Sequence, residues 1–266
     1  MALNFASLKL SSPFMTASGC SGYGWELNNL FPKVNYGAVT TKTITYKERK
    51  GNPPPRIFEI EGGVINRVGL ENCGVFKFID EHLPKLKKSG VNFIVSIYGE
   101  NLEEWVEILK LLKGRGVKFF ELNLSCPNLK NRIVQEDVGY VRRVVRSLRK
   151  FRGVKLIAKI NAIHSPIELT KKLIEDGIDG IVCSNTFPCS FIFNGKIYDG
   201  GVSGRVIKPV VLKVVKELRK RFRIPLAACG GIYSKEDVDD YRKVGVDFFV
   251  LGSILLREPD IGKWLK

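Results

Sequence analysis

Short apolar segments alternate with amphipathic stretches along most of the chain. Eight apolar segments are typical of buried strands and lie near residues 14–18, 37–42, 92–98, 119–124, 156–160, 180–184, 226–229 and 247–252. The stretches between them carry apolar residues at helical spacing, as in Leu102, Val106, Leu109 and Leu112, or in Val210, Val214 and Leu218. Strands that alternate with helices predict a parallel sheet. Eight such units in 266 residues favour a (β/α)8 TIM barrel, with residues 1–266 forming a single domain.

Two connections are too long to be simple loops between a strand and the next helix. They cover residues 43–74 and 186–209, and each follows a predicted strand. Barrel active sites lie where strands end, at the C-terminal face. Long loops in a compact domain are usually functional or disordered. We therefore expect extended, ordered covers over a pocket at this face.

The segment ELNLSCPN, residues 121–128, places a thiol at a strand exit. Apolar and polar residues alternate up to Ser125, which indicates a strand, and Pro127 then ends the ladder because it has no backbone donor. Cys126 is left between the amides Asn123 and Asn128. A lone cysteine is more often a small buried hydrophobe. The flanking amides favour a catalytic thiol instead.

Lysines and glycines at other strand ends indicate a phosphate-bearing cofactor. Lys42 and Lys159 close the second and fifth predicted strands, and a lysine in such a place needs an anion or an electron-rich partner. The pair Gly230-Gly231 and the dipeptide Gly252-Ser253 follow predicted strands seven and eight, where these barrels usually bind phosphate. A further Gly-rich segment covers residues 200–204. Phosphate on one side, a lysine near the axis and a thiol opposite suggest FMN.

Bulk properties narrow the class of protein. The net charge is +16, which suggests an acidic partner, but much of it lies on predicted helix faces such as residues 142–150. Six cysteines without a CxxC pair and two histidines argue against a zinc site or a disulfide scaffold. There is no apolar run of transmembrane length and no signal-like N-terminus. We expect a cytoplasmic protein that binds no metal, membrane or nucleic acid.

These segments together resemble the class 1 dihydroorotate dehydrogenases over nearly the whole chain. The matching motifs cover residues 17–24, 41–43, 49–56, 65–72, 121–128, 185–186, 200–209 and 230–232. The resemblance implies FMN-dependent oxidation of dihydroorotate to orotate in pyrimidine (UMP) biosynthesis. Residues 18–24 and 201–209 look more like subclass 1B than 1A. Subclass 1B implies a homodimer that forms a heterotetramer with a subunit carrying FAD and a [2Fe–2S] cluster, which passes electrons to NAD.

The resemblance also implies a role for each candidate site residue. Cys126 would be the general base that takes a proton from substrate C5, with hydride transfer from C6 to FMN. The implied substrate-binding residues are Lys42, Asn66, Asn123, Asn128, Asn185 and Thr186. The implied cofactor-binding residues are Ala17, Ser18, Lys42, Asn123, Lys159, Gly204, Gly230, Gly231, Gly252 and Ser253.

Three other functions stay open on the sequence alone. Dihydrouridine synthases are also FMN barrels with a catalytic cysteine, and a tRNA substrate would suit the positive charge. They carry a glycine before that cysteine, where this chain has Ser125, and an added RNA-binding domain. The second alternative is a dihydropyrimidine dehydrogenase-like flavoenzyme. The third is a flavin-binding subunit without this activity.

Overall fold

Fourteen strands and eight α-helices make up the described part of the chain. The computed structural model describes residues 3–32, 34–125 and 133–261. The strands are β1 (Leu3–Phe5), β2 (Leu8–Leu10), β3 (Phe14–Thr16), β4 (Val39–Thr40), β5 (Ile57–Ile60), β6 (Gly63–Asn66), β7 (Phe93–Ile97), β8 (Phe119–Asn123), β9 (Lys155–Ile160), β10 (Gly180–Cys183), β11 (Phe187–Phe193), β12 (Lys196–Gly204), β13 (Leu226–Cys229) and β14 (Phe248–Leu251). The helices are α1 (Trp25–Leu30), α2 (Gly74–Lys77), α3 (Leu83–Lys88), α4 (Leu102–Gly114), α5 (Val138–Arg149), α6 (Pro166–Glu175), α7 (Lys208–Arg221) and α8 (Lys235–Lys243). A π-helical turn, Phe78–His82, joins α2 to α3.

Eight parallel strands form the barrel. Their order is β3-β14-β13-β10-β9-β8-β7-β4, and the outer two meet through a parallel bridge between Met15 and Ala38. The Thr16 backbone N–H donates to the Ala38 carbonyl at 3.2 Å, which closes the ring. Each of the eight strands overlaps one of the eight predicted apolar segments. The predicted (β/α)8 barrel is therefore confirmed.

A β-hairpin that was not predicted from the sequence lies at the amino-terminal end of the barrel. β1 and β2 pair through a turn in which Ala6 and Ser7 take positive φ. Phe5, which is fully buried, and Ala6 lie against Gly180 at the amino end of β10. The hairpin thus covers the barrel at the amino end of β10, on the side opposite the carboxyl ends of the strands.

The helices cover the barrel with the apolar faces expected from their periodicity, with one correction. In α4, which Asn101 caps, Leu109 and Leu112 are buried as predicted. In α7 the buried face is Val211, Val215 and Leu218, whereas Val210 is 42% exposed and Val214 lies at the rim. Both sets of residues have helical spacing, so periodicity alone could not show which of the two adjacent faces of α7 is buried.

The two long connections fold together into one antiparallel sheet. Its strand order is β11-β12-β6-β5, and Asn66 pairs with Gly201 across the two connections. This sheet stands at the carboxyl ends of the barrel strands, because β11 follows β10 after only three residues. The extended, ordered covers predicted from the sequence are thus a sheet. None of the helices in the described ranges has the length and apolar character of a membrane span.

Candidate active site

A cavity of about 450 Å³ lies at the C-terminal face, between the barrel and the antiparallel sheet. Its volume is in the range of pockets that bind small molecules and cofactors. All the candidate site residues in the described ranges line it: Ala17, Ser18, Lys42, Asn66, Asn123, Lys159, Asn185, Thr186, Gly204, Gly230, Gly231, Gly252 and Ser253. Cys126 and Asn128 lie outside the described residues. The fold therefore brings together side chains from segments far apart in sequence.

Two of the predicted substrate amides are hydrogen-bonded to each other. Asn185 Nδ2 donates to Asn123 Oδ1 at 3.1 Å and to Ser125 Oγ at 3.2 Å. The Ser125 hydroxyl in turn donates to the Lys159 carbonyl at 3.0 Å. Ser125 is therefore fully engaged in fixing the wall. These bonds connect the ends of β8, β9 and β10 and hold both amides at set positions.

Lys42 faces a carboxylate that the sequence reading did not anticipate. Its Nζ lies 3.6 Å from Glu71 Oε1, and the Arg56 guanidinium binds the other Glu71 oxygen at 2.5 Å. Arg56 is itself held by the carbonyls of Asn52 and Lys50. Two cations thus share one anion at the cavity wall. The surplus positive charge suits an anionic ligand.

Two further cysteines line the cavity beside the buried Lys159. Burial raises the pKa of the Cys20 thiol, an effect that the nearby Lys159 charge only partly offsets. Burial likewise raises the pKa of Cys229 to about 11, again against the Lys159 charge. Both thiols are therefore protonated at neutral pH, and a protonated thiol is neither a base nor a nucleophile.

The late glycines form a cradle in the cavity wall, where the chain packs too closely for larger side chains. A Cβ on Gly231, whose φ is +66°, would lie 2.4 Å from Lys208 Cβ, and one on Gly204 would lie 2.4 Å from Gly63 Cα. The Lys208 ammonium is paired with Asp237 and Asp240. Backbone N–H groups are thus the donors this corner offers to an anion, as in other phosphate sites of strand-to-helix turns. The cradle, the cavity volume and Lys159 together fit FMN.

Comparison with known proteins agrees with this geometry. A sequence model of the family described as dihydroorotate dehydrogenase matches residues 1–265. This chain belongs to the dihydroorotate dehydrogenase family.

Several relatives share one name, dihydroorotate dehydrogenase B (NAD(+)), catalytic subunit. The protein from Endomicrobium trichonymphae is 42% identical over 97% of this chain and 87% of its own length. The protein from Caldicellulosiruptor saccharolyticus is 35% identical over 97% of this chain and 88% of its own length. That from Geobacter sp. (strain M21) is 33% identical over the same shares. These names confirm the resemblance to subclass 1B.

Several residues that line the cavity of this dihydroorotate dehydrogenase family member were not predicted from the sequence. Arg56 and Glu71 lie inside recognised motifs, but their ion pair depends on how residues 43–74 fold back on themselves. Thr43, next to Lys42, could have been found as a hydroxyl directly after a strand-end lysine. Cys20 lies inside the matching motif of residues 17–24 and Cys229 directly precedes Gly230, but a thiol resembles a small apolar residue and neither was singled out.

The raised thiol pKa values predict slow alkylation of the cavity cysteines. At pH 7, Cys229 should react with iodoacetamide at less than about a tenth of the rate of an unperturbed thiol, whose pKa is about 8.5, and Cys20 should also react more slowly than such a thiol. Their reaction should accelerate as the pH rises toward 11. Peptide mass spectrometry after timed alkylation measures each site separately. Rapid labelling of Cys229 in the folded protein at pH 7 would contradict the prediction.

Proposed function

We propose that this chain is the catalytic subunit of an enzyme that oxidises dihydroorotate to orotate with FMN in pyrimidine biosynthesis. The observation that carries the proposal is the single cavity in which all the described site residues meet, in a chain of the dihydroorotate dehydrogenase family. When bound, FMN supplies the two-electron acceptor for such an oxidation. The relatives named above support NAD as the final acceptor.

The substrate carries a carboxylate and a planar ring with alternating donors and acceptors. Amide side chains match such a ring because each offers both a carbonyl and an NH2 group. In this proposal Asn66, Asn123, Asn128, Asn185 and Thr186 hold the substrate. Lys42 supplies positive charge for the carboxylate. Cys126 takes the proton from C5, the role for which Cys20 and Cys229 are unsuited.

The proposed cofactor-binding residues divide by chemistry. The backbone of Gly204, Gly230, Gly231 and Gly252, with Ser253, receives the phosphate. Ala17, Ser18 and Asn123 line the wall where the flavin ring lies, and Lys42 and Lys159 place positive charge beside it. Lysine charge near a flavin ring favours its electron-rich form.

The name that the relatives carry, "catalytic subunit", also supports a partner. We propose that the partner carries FAD and a [2Fe–2S] cluster and that the two kinds of subunit assemble around a homodimer of this chain. Electrons would leave the cavity described above toward that partner and reach NAD there.

Anaerobic mixing with dihydroorotate tests the proposed activity. The FMN-loaded protein should lose its absorbance near 450 nm within seconds, and orotate should appear in equal amount. Dihydrouracil and dihydrothymine serve as matched substrates without the carboxylate and should react at least about a hundredfold more slowly, because they lack the anion that the positive charge of Lys42 would bind. Bleaching by dihydrouracil but not by dihydroorotate would instead indicate a dihydropyrimidine dehydrogenase-like enzyme. No bleaching by any of them would indicate a flavin-binding subunit.

A further inference from the structure

A chain of side-chain hydrogen bonds leads from the cavity wall into the barrel interior. Asn123 Nδ2 donates to Thr43 Oγ1 at 2.9 Å. Thr43 Oγ1 lies 3.0 Å from Ser96 Oγ, and Ser96 Oγ donates to Glu121 Oε1 at 2.9 Å. Thr43 and Asn123 line the cavity, whereas Ser96 and Glu121 do not. The chain thus connects a proposed substrate amide to a buried carboxylate.

Groups with no choice of role fix the direction of every bond in this chain. At one end, the Thr186 backbone N–H can only donate, and its bond to Asn185 Oδ1 at 2.9 Å turns Asn185 Nδ2 toward Asn123. Asn123 must then accept with Oδ1 and donate with Nδ2. At the other end, the Ser96 hydroxyl donates its hydrogen to Glu121 Oε1. Thr43 is therefore left to donate to Ser96 and to accept from Asn123.

The bond directions along the chain also determine whether Ser18, which lines the cavity, donates to Thr43 or accepts from it. Ser18 Oγ lies 3.0 Å from Thr43 Oγ1. Because the Thr43 hydrogen is used toward Ser96, Ser18 is the donor of this pair. The Ser18 oxygen is then able to accept a hydrogen bond from a ligand, and its hydrogen is not offered to one.

The members of the chain beyond Asn123 are almost completely buried. Ser96 is fully buried, Glu121 is 2% exposed and Thr43 is 4% exposed. A buried carboxylate is costly unless hydrogen bonds compensate it. The charge at the end of a hydrogen-bonded chain also polarises each successive hydrogen bond. An apolar residue at position 121 would remove the acceptor of the Ser96 hydroxyl, and with it the group that fixes the direction of the bonds on the Thr43 side of Asn123.

We propose that Thr43, Ser96 and Glu121 are positioning residues that lock the orientation in which Asn123 and Asn185 present their amides to the substrate. The proposal rests on the proposed function for the identity of the ligand, orotate or dihydroorotate. A ring whose N–H and C=O groups alternate is bound well in only one orientation of each amide. The lock therefore contributes to substrate affinity in part through Ser96 and Glu121, which lie outside the cavity lining.

Orotate binding to variants of Thr43 tests the lock. Thr43→Val keeps the shape and removes the hydroxyl, and Thr43→Ser keeps the hydroxyl. The matched control is Thr170→Val on α6, a buried threonine whose hydroxyl has no partner in the described residues and lies outside the cavity. Isothermal titration calorimetry of FMN-loaded protein gives the orotate dissociation constant. Steady-state kinetics give kcat and KM for dihydroorotate.

Loss of one oriented hydrogen bond corresponds to about a tenfold change in affinity. We expect Thr43→Val to raise the orotate dissociation constant and the KM about tenfold, with a smaller fall in kcat. Ser96→Ala should raise both about threefold, and Thr43→Ser and Thr170→Val should stay within about twofold of the parent. If Thr43→Val and Ser96→Ala bind orotate as Thr170→Val does, the proposal is overturned.

A double-mutant cycle tests the lock without any substrate. Within the described residues, a hydrogen-bonded path runs from Ser96 through Thr43 and Asn123 to Asn185. In a cooperative chain, Ser96→Ala and Asn185→Ala should therefore be non-additive by about threefold or more in the unfolding constant. The control cycle pairs Thr170→Val with Asn185→Ala and should be additive. If the parent protein binds no orotate, the proposed function fails, and the double-mutant cycle alone tests the positioning role. Non-additive effects of the two substitutions would then support that role, and additive effects would overturn it.

Discussion

Replacement of Cys126 by alanine is expected to leave FMN bound and to slow anaerobic flavin reduction by dihydroorotate about a thousandfold at pH 7. Removal of a general base typically costs two to four orders of magnitude, hence the estimate of about a thousandfold. The two described thiols of the cavity and the neighbouring Ser125 are poorly suited to replace it. Burial keeps Cys20 and Cys229 protonated, and Ser125 donates its hydrogen to the Lys159 carbonyl. Stopped-flow absorbance near 450 nm measures the rate directly.

Replacement of Cys126 by serine distinguishes the effect of losing the thiol base from the effect of losing side-chain volume. Cys126→Ser should recover part of the rate at high pH, because a hydroxyl gives up its proton less readily than a thiol with a pKa of about 8.5. The matched control is Cys189→Ala on β11, a cysteine outside the cavity lining, which should reduce its flavin at the parent rate. An undiminished rate in Cys126→Ala would remove this thiol as the base. FMN content, read from the ratio of flavin to protein absorbance, shows that any loss is chemical.

The barrel could be predicted from the sequence because its signals are local. A run such as residues 180–184 is short and apolar whatever the rest of the chain does, and glycine placement marks where the next turn begins. The positions of Lys42, Lys159 and Asn185 at strand ends then followed from the parallel topology. The placement of a side chain at a strand end does not depend on which strands are neighbours.

Features that depend on pairing between distant segments could not be predicted in this way. β6 and β12 pair across 135 positions, from Asn66 to Gly201, and neither strand indicates the other. The Arg56–Glu71 ion pair and the contact of Thr43 with Asn123, 80 positions apart, have the same character. The alternation along β8 did place Glu121, Asn123 and Ser125 on one face. It could not show that this face is the barrel interior, where Glu121 is buried.

Gly252→Val is expected to abolish FMN retention while the barrel still folds. Gly252 follows β14 at the cavity wall, and a Cβ added there would have only Ala17 Cβ near it, at 3.6 Å. The larger valine side chain would therefore extend into the space proposed for the phosphate and cover backbone donors. We expect at least about a hundredfold weaker FMN binding, because the charged phosphate would lose several hydrogen bonds at once. Fluorescence titration of apo-protein with FMN measures the dissociation constant.

Gly231 would be a poorer choice for this test, since its added Cβ would collide with Lys208 and could unfold the turn itself. The matched control is Gly114→Val at the end of α4, where an added Cβ meets no atom within 4 Å, far from the glycine cradle. That variant should bind FMN as the parent does. Thermal unfolding of both apo-proteins separates folding from binding. If Gly252→Val unfolds like Gly114→Val and still binds FMN with the parent's affinity, the phosphate does not lie at the end of β14, and the cradle would have to be rebuilt around Gly204 and Gly231 alone.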